Sequence, residues 1–274
     1  MEDDPQYLVI PAAGLGKRMR SIGRSLPKEL LPVGGKPAIQ FAVEEGLSAG
    51  IREVVIIINR DKEIIRRYFE DKQFRHNKFP LATQGMEEIE KECSITFLYQ
   101  KEPLGESDAI ALARGVVGNH PVSIIYPDNI YFPAPGALKI LKNVFRERGE
   151  DVTALTVVTE ENGFGVGNSG RVELKPLKGN IFRIARFHPK GPGHFVPKFE
   201  GELRACGIYI SGPHIFEYVE RARGLIKKGE LTDLPVRTLI LRDRGLLGCR
   251  LPGNVFDIGN PKGYELCLAY TPSL

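Results

Sequence analysis

Tryptophan is absent from this 274-residue chain, methionine occurs three times and cysteine only four times. The cysteines (Cys93, Cys206, Cys249 and Cys267) are far apart, form no C-x-x-C pair and have no histidine at metal spacing. A disulfide framework is not expected in a chain of this size, and a reducing compartment fits best. No apolar run approaches the ~18 residues that span a bilayer. No long basic run occurs either: 38 Lys and Arg stand against 34 Asp and Glu, with the signs interspersed and a net charge of +4. General affinity for nucleic acid or for a membrane surface is therefore not indicated. The opening residues, Met1-Glu2-Asp3-Asp4, lack the charge and apolar length of a signal peptide. The expectation is a cytoplasmic chain without nucleic-acid or membrane partners, with a homo-oligomer left open.

What is present points to a large α/β domain. Hydrophobic residues make up 42% and charged residues 26%, ordinary values for a globular protein with a sizeable core. The first half alternates short β-branched runs with amphipathic segments: strands at 7–11, 53–59, 95–99 and 122–126, helices at 37–49, 62–69, 107–115 and 136–148. The run Glu53–Asn59 (EVVIIIN) is continuously apolar inside its ends, as a strand buried on both faces must be. Repeated β-α order predicts a Rossmann-like, mostly parallel sheet with helices on both faces. The second half reads as strands at 153–159, 204–210 and 255–258, a hairpin over 171–187, a Pro/Gly loop over 188–197, and helices at 213–223, 234–244 and 262–270. It forms a smaller lobe of one domain, 1–274, whose halves divide near residue 150.

The chemistry begins directly after the first strand. Residues 11–20 read PAAGLGKRMR. Ligands of such sheets bind beyond the carboxyl ends of the strands, so this loop faces a crevice. Gly14 and Gly16 let backbone amides approach phosphate oxygens, and Lys17, Arg18 and Arg20 supply charge for a polyphosphate. A dinucleotide fingerprint is excluded, because Met19 stands where a third glycine is needed; no Walker loop occurs anywhere. The alternative is a turn with solvated cations.

The following segment, PKELLPVGGKP over 27–37, decides between them. Residues 7–50 resemble the opening of the sugar-1-phosphate nucleotidyltransferases, particularly the glucose-1-phosphate uridylyltransferases. That family carries a G-x-G-x-R loop, then P-K-x-L-L-P and a K-P pair. The resemblance places Arg18 and Lys28 as essential cations and Ala13, Gly14 and Gly16 as the backbone that holds a triphosphate. Lys17 and Arg20 depart from the family's Thr and Pro.

Two carboxylates follow similar strands. Asp128 closes SIIYPD at the rim of the crevice, and Asp257 stands in VFDIGNP, ahead of a helix. Each alone also reads as a turn residue. Two hard oxygen ligands on separate strand ends suit Mg²⁺ bridging phosphates. Asp128-Asn129-Ile130-Tyr131 is similar to the thymidylyltransferase form of the family's first metal motif, and FDIGNPKGYE to its second. GELTD, at 229–233, is similar to a segment in which Glu, here Glu230, fixes the sugar. The resemblance likewise implies Phe164 and Gly165 on the sugar side, making 151–274 the sugar-phosphate half and 1–150 the nucleotide half.

The stretch QKEPLGESDA, from Gln100 to Ala109, resembles the family's base-binding loop, with Gln100 and the Gly105 amide reading a uracil or thymine edge. Gly105-Glu106-Ser107-Asp108-Ala109 also superficially matches a nucleophile elbow, which would make an esterase-like hydrolase. Ser107 stands eight residues past the strand, however, and reads better as a helix cap. The resemblance thus implies transfer of a nucleotidyl group from UTP or dTTP to a sugar 1-phosphate, glucose 1-phosphate first. One departure leaves a regulatory, weakly catalytic homologue as the alternative. The family's Glu-Lys-Pro before the sugar-binding strand is replaced by Phe187-His188-Pro189-Lys190. His188 or Lys190, with Lys190 preferred, is then the expected cation for the sugar phosphate.

Overall fold

A computed structural model describes residues 4–19, 21–22, 26–82, 85–226 and 229–271. Arg20, one of the expected loop cations, lies outside them. The chain order is β1 (Tyr7–Pro11), β2 (Pro32–Val33), β3 (Lys36–Pro37), α1 (Ala38–Ser48), β4 (Glu53–Ile58), α2 (Glu63–Glu70), α3 (Lys72–Lys78), α4 (Met86–Glu92), β5 (Ser94–Tyr99), α5 (Glu106–Leu112), α6 (Arg114–Val117) and β6 (Val122–Ile125). There follow β7 (Asn129–Phe132), α7 (Ala137–Arg148), β8 (Val152–Val157), α8 (Glu160–Gly163), β9 (Val172–Lys178), β10 (Ile181–Phe187), β11 (Leu203–Ser211), α9 (Ile215–Leu225), α10 (Asp233–Arg244), β12 (Leu247–Arg250), β13 (Asn254–Asp257) and α11 (Pro261–Tyr270).

One nine-stranded sheet carries both halves, in the order β5-β4-β1-β6-β11-β8-β12-β10-β9. β5, β4, β1 and β6 are parallel neighbours, and only β11 and β10 run against the rest. The predicted mostly parallel sheet is what forms. Alternation along β1 shows how it is covered. Leu8 and Ile10 face a core with Ile39 and Val43 of α1 and Leu141 of α7. Val9 faces the opposite core, with Ile110 of α5, Val219 of α9 and Ile240 of α10. Each of these aliphatic side chains, fully buried, contributes roughly 1.5–3 kcal/mol.

Several elements differ from the sequence expectation. α3 and α4, seven residues each, are too short and polar to show a helical period, yet Phe74, Phe79 and Met86 pin them to the core. The Ser107 cap is corrected: α5 starts one residue earlier, at Glu106, and Ser107 lies inside it, donating to the Thr232 carbonyl at 3.1 Å. No described helix is long and apolar enough to cross a membrane.

Chain direction places the site. β1 lies between β4 and β6, and the chain leaves it first to one side and later to the other. Loops at the carboxyl ends of β1, β5 and β6 line a crevice there, as expected near such a switch point.

Candidate active site

The Gly-rich loop leaves β1 with the Ala12 amide donating to the Ile57 carbonyl at 2.8 Å. Gly16 adopts a φ of +58°, which suits glycine, and begins a short 3-10 turn over Lys17–Met19. Met19 is buried beneath it, while Lys17 and Arg18 stay exposed. The floor of the loop is tied down by residues that the sequence reading did not single out. Asn59 donates to the Ala13 carbonyl at 2.6 Å, and Lys62 donates to the Ala12 carbonyl at 2.8 Å. Lys62 also forms a buried ion pair with Glu29 at 2.8 Å. Burial pulls the Lys62 ammonium below its ordinary pKa, and Glu29 opposes this only in part. A polar Asn at the carboxyl end of a buried strand was the one local signal available.

The turn at Lys28–Leu30 sends neighbouring side chains to different partners: Glu29 to Lys62, and Lys28 to Asp128. Burial works against the Lys28 charge, but Asp128 and then Glu29 outweigh it and raise its pKa. Burial likewise disfavours the Asp128 carboxylate, and the Lys28 charge outweighs that, holding the carboxyl below its ordinary value.

The two candidate metal ligands are far apart in sequence, and a small ribbon brings them together. β7 and β13 pair antiparallel with Asp257 opposite Asn129, so Asp257 stands beside Asp128. Asp128 Oδ2 lies 2.7 Å, Asp257 Oδ1 2.9 Å and Arg18 Nη2 3.4 Å from one point, the place a Cβ on Gly259 would occupy. Asn129 donates to Asp128 Oδ1 at 2.9 Å, and the Gly259 and Gly167 amides donate to Asp257 at 2.9 and 3.4 Å. No third His, Cys, Asp or Glu joins them among the described residues. Two converging carboxylates fit Mg²⁺, which keeps waters and phosphate oxygens in its shell, and not a closed structural zinc site.

Gln100 is buried, and its amide nitrogen donates to the Gly105 carbonyl at 3.0 Å and to Asp108 Oδ2 at 2.9 Å. Asp108 is held in turn by Arg223 at 2.6 Å. Both amide hydrogens are committed to acceptors, so Gln100 Oε1 is what remains to accept from a ligand. Gly105 has a φ of +107°, and a Cβ there would lie 2.4 Å from the Leu231 carbonyl oxygen. Only glycine allows that approach, which zips the loop to the segment after Glu230. Glu106, whose side chain accepts the Asp233 amide at 3.1 Å, is pushed up to about 7 by burial and by the nearby Asp233 carboxylate. Ser107 is buried, with its hydroxyl directed at a backbone carbonyl, which removes the esterase-like alternative.

These parts surround one cavity of about 520 Å³. One wall is lined by Ala13, Gly14, Gly16, Arg18 and Lys28, with Asp128 and Asp257 also on the lining. Gln100 and Gly105 line a second wall, and His188, Lys190 and Glu230 a third. Phe164 and Gly165 do not line it. Phe164 is exposed and stacks on His194 at 4.5 Å, and Gly165 is buried, its carbonyl accepting from Asn260 at 2.9 Å. Tyr126, Arg204 and Arg237 also line the cavity and were not expected from the sequence.

A family model described as nucleotidyl transferase matches residues 7–265. A UTP–glucose-1-phosphate uridylyltransferase, YngB of Bacillus subtilis (strain 168), is 30% identical over 263 residues, covering 93% of this chain and 85% of that protein. The enzyme of the same name from Staphylococcus haemolyticus is 30% identical over 268 residues, covering 93% and 88%. Among solved structures, a UDP-glucose pyrophosphorylase complexed with UDP-glucose superposes with a TM-score of 0.79 at 26% identity, covering 97% of this chain and 98% of that one. A UTP-bound enzyme from Acinetobacter baumannii, at 22% identity, a TM-score of 0.77 and coverages of 97% and 93%, shares the fold.

Proposed function

This chain belongs to the nucleotidyl transferase family, as an enzyme of the kind that acts on sugar 1-phosphates, and we propose that it couples UTP or dTTP to a sugar 1-phosphate, releasing pyrophosphate. UTP and glucose 1-phosphate are the pair favoured by the names of the relatives. The observation that carries the reading is the convergence of Asp128, Asp257 and Arg18 on one point, with Lys28 ion-paired to Asp128, beside the Gly-rich loop.

The roles follow from placement. Amides of Ala13, Gly14 and Gly16 hold the triphosphate, and Arg18 and Lys28 bear on its α-phosphate and on the departing pyrophosphate. The acceptor's phosphate is already an anionic nucleophile at neutral pH, so no general base is needed. The site aligns an acceptor oxygen with the α-phosphorus and neutralises charge that builds in the transition state. Asp128 and Asp257 would hold Mg²⁺, which supplies charge neutralisation across the phosphates. Glu230 would bind a sugar hydroxyl, and His188 and Lys190 line the same cavity. A cytoplasmic location suits substrates of this kind.

Pyrophosphate should appear only when triphosphate, sugar 1-phosphate and Mg²⁺ are present together. Release from triphosphate alone, indifferent to any sugar phosphate, would sink the reading.

Base selection supplies a second expectation. Gln100 Oε1 is an acceptor matched to the N3–H of uracil or thymine, while the Gly105 amide is a donor matched to a neighbouring carbonyl. Gln100→Leu should raise KM for UTP by about 10- to 100-fold, the loss of one or two hydrogen bonds in a desolvated site. The acceptor's KM should move little. An unchanged KM for UTP in steady-state pyrophosphate assays would show that the base is bound elsewhere.

A further inference from the structure

Phe187-His188-Pro189 stands where the family places a lysine for the acceptor's phosphate, so the question is which cation does that work. His188 Nε2 lies 3.0 Å from Glu173 Oε1 and is already partnered. Lys190 is exposed, where a single ion contact is screened and worth little. The cavity has two better-placed cations deeper in the same half.

We propose that Arg204 and Arg237 form an oxyanion site that binds the acceptor substrate, taking over from the absent lysine. This rests on the transferase reading above and specifies its acceptor half. Arg204 is 4% exposed and Arg237 6%, and both line the cavity. In each, Nε and Nη2 are buried with no hydrogen-bond partner among the described residues. A buried guanidinium with unanswered N–H groups is destabilising unless a bound anion answers them.

The fold explains why both reach the cavity. β11 pairs with β6 only through Ile208–Ser211, so its first half, with Arg204, runs on past the carboxyl end of β6 into the site. Arg237 lies in the second turn of α10, facing the same end. Its guanidinium sits 4.8 Å from the Phe187 ring centre and 5.0 Å from that of Tyr209, which restricts its plane. Phe187 occupies the position of the family's glutamate, so the residue beside Arg237 there is a ring, not a neutralising carboxylate. Asp233 reaches Arg237 Nη1 at 3.4 Å, a long contact that leaves the other two nitrogens, both buried, without a partner among the described residues. Two forked cations in a low-dielectric wall suit the oxygens of a phosphate or a carboxylate. The anion is either the 1-phosphate itself or a second acidic group on the sugar, as in a hexuronate 1-phosphate.

The test uses the full chain with Arg204→Gln and Arg237→Gln, which keep a polar side chain but remove the charge and the guanidinium fork. KM for the acceptor should rise about 10- to 100-fold, the loss of charge-assisted hydrogen bonds, while KM for UTP stays within about threefold. Equal rises with glucose 1-phosphate and glucuronate 1-phosphate assign the pair to the 1-phosphate. A rise confined to glucuronate 1-phosphate, with wild type preferring it, assigns the pair to the second acidic group. An unchanged acceptor KM in both variants, or an equal rise for UTP, overturns the proposal. Should a variant not fold, wild type and the other variant are compared by thermal shift with inorganic phosphate. Protection of wild type that the variant lacks supports the site, and equal protection or none overturns it. Absence of turnover in wild type with every acceptor would reject the transferase reading, and the phosphate thermal shift would still decide on the pair.

Discussion

Asp257→Asn should lower turnover by about 10³-fold or more at saturating substrate and Mg²⁺, roughly 4 kcal/mol of lost transition-state stabilisation. The substitution removes a charge while keeping the shape of the side chain. The Gly259 amide can still donate to an oxygen at the Oδ1 position, so the turn into α11 survives and melting should move little. The partner substitution is expected to behave differently. Asp128 neutralises the half-buried Lys28, and Asp128→Asn leaves that ammonium without its ion-pair partner. It should therefore lose turnover and also destabilise the fold by about 1–3 kcal/mol, between the values for exposed and fully buried pairs broken from one side. Side-by-side measurement of rate and chemical denaturation separates the two. If Asp257→Asn keeps near-normal turnover, that residue is a structural turn aspartate and the metal assignment is wrong.

Removing the Arg18 side chain should be the second severe lesion, about 10²–10³-fold in kcat/KM with almost no change in stability. Arg18 is exposed, yet its Nη2 lies 3.4 Å from the point on which both carboxylates converge. A group aimed at reacting phosphates gains strength as charge develops, and a group that only attracts anions does not. Lys36 makes the control. It pairs with Glu44 and lies 4.3 Å from the centre of the Phe41 ring, away from the cavity wall. Lys36→Ala should change kcat/KM less than about threefold, as expected of a surface charge. Lys28→Ala should combine a rate loss like that of Arg18→Ala with destabilisation, because Asp128 is then the unpaired member. Comparable losses in Arg18→Ala and Lys36→Ala would mean that general attraction, not aimed charge, accounts for catalysis.

Where sequence and structure part company, the dividing line is distance along the chain. The hydrophobic run at Glu53–Ile58, the Gly-rich loop after Tyr7–Pro11 and the two strand-Asp-turn motifs were legible because each is a local pattern acting on local backbone. The start of α5 was misread for the opposite reason. Ser107 looks like a cap locally, but contact of Gly105 with Leu231, more than a hundred residues on, sets where that helix begins. α3 and α4 escaped notice because seven polar-rich residues hold too few apolar contacts to reveal a period.

By itself, the sequence determined most of the sheet's strands (β12 excepted), the covering of both its faces and the residue types available for phosphate chemistry. Those features depend on side-chain alternation and on glycines at loop positions, which need no knowledge of remote neighbours. Only the tertiary structure decided which charges meet. The β7–β13 ribbon joins Asp128 to Asp257, β11 carries Arg204 past the end of β6, and α10 presses Arg237 against Phe187. A charge acts only over the few ångströms before solvent and salt screen it, so the partners that folding supplies, and not position in the chain, determine what each charged residue can do.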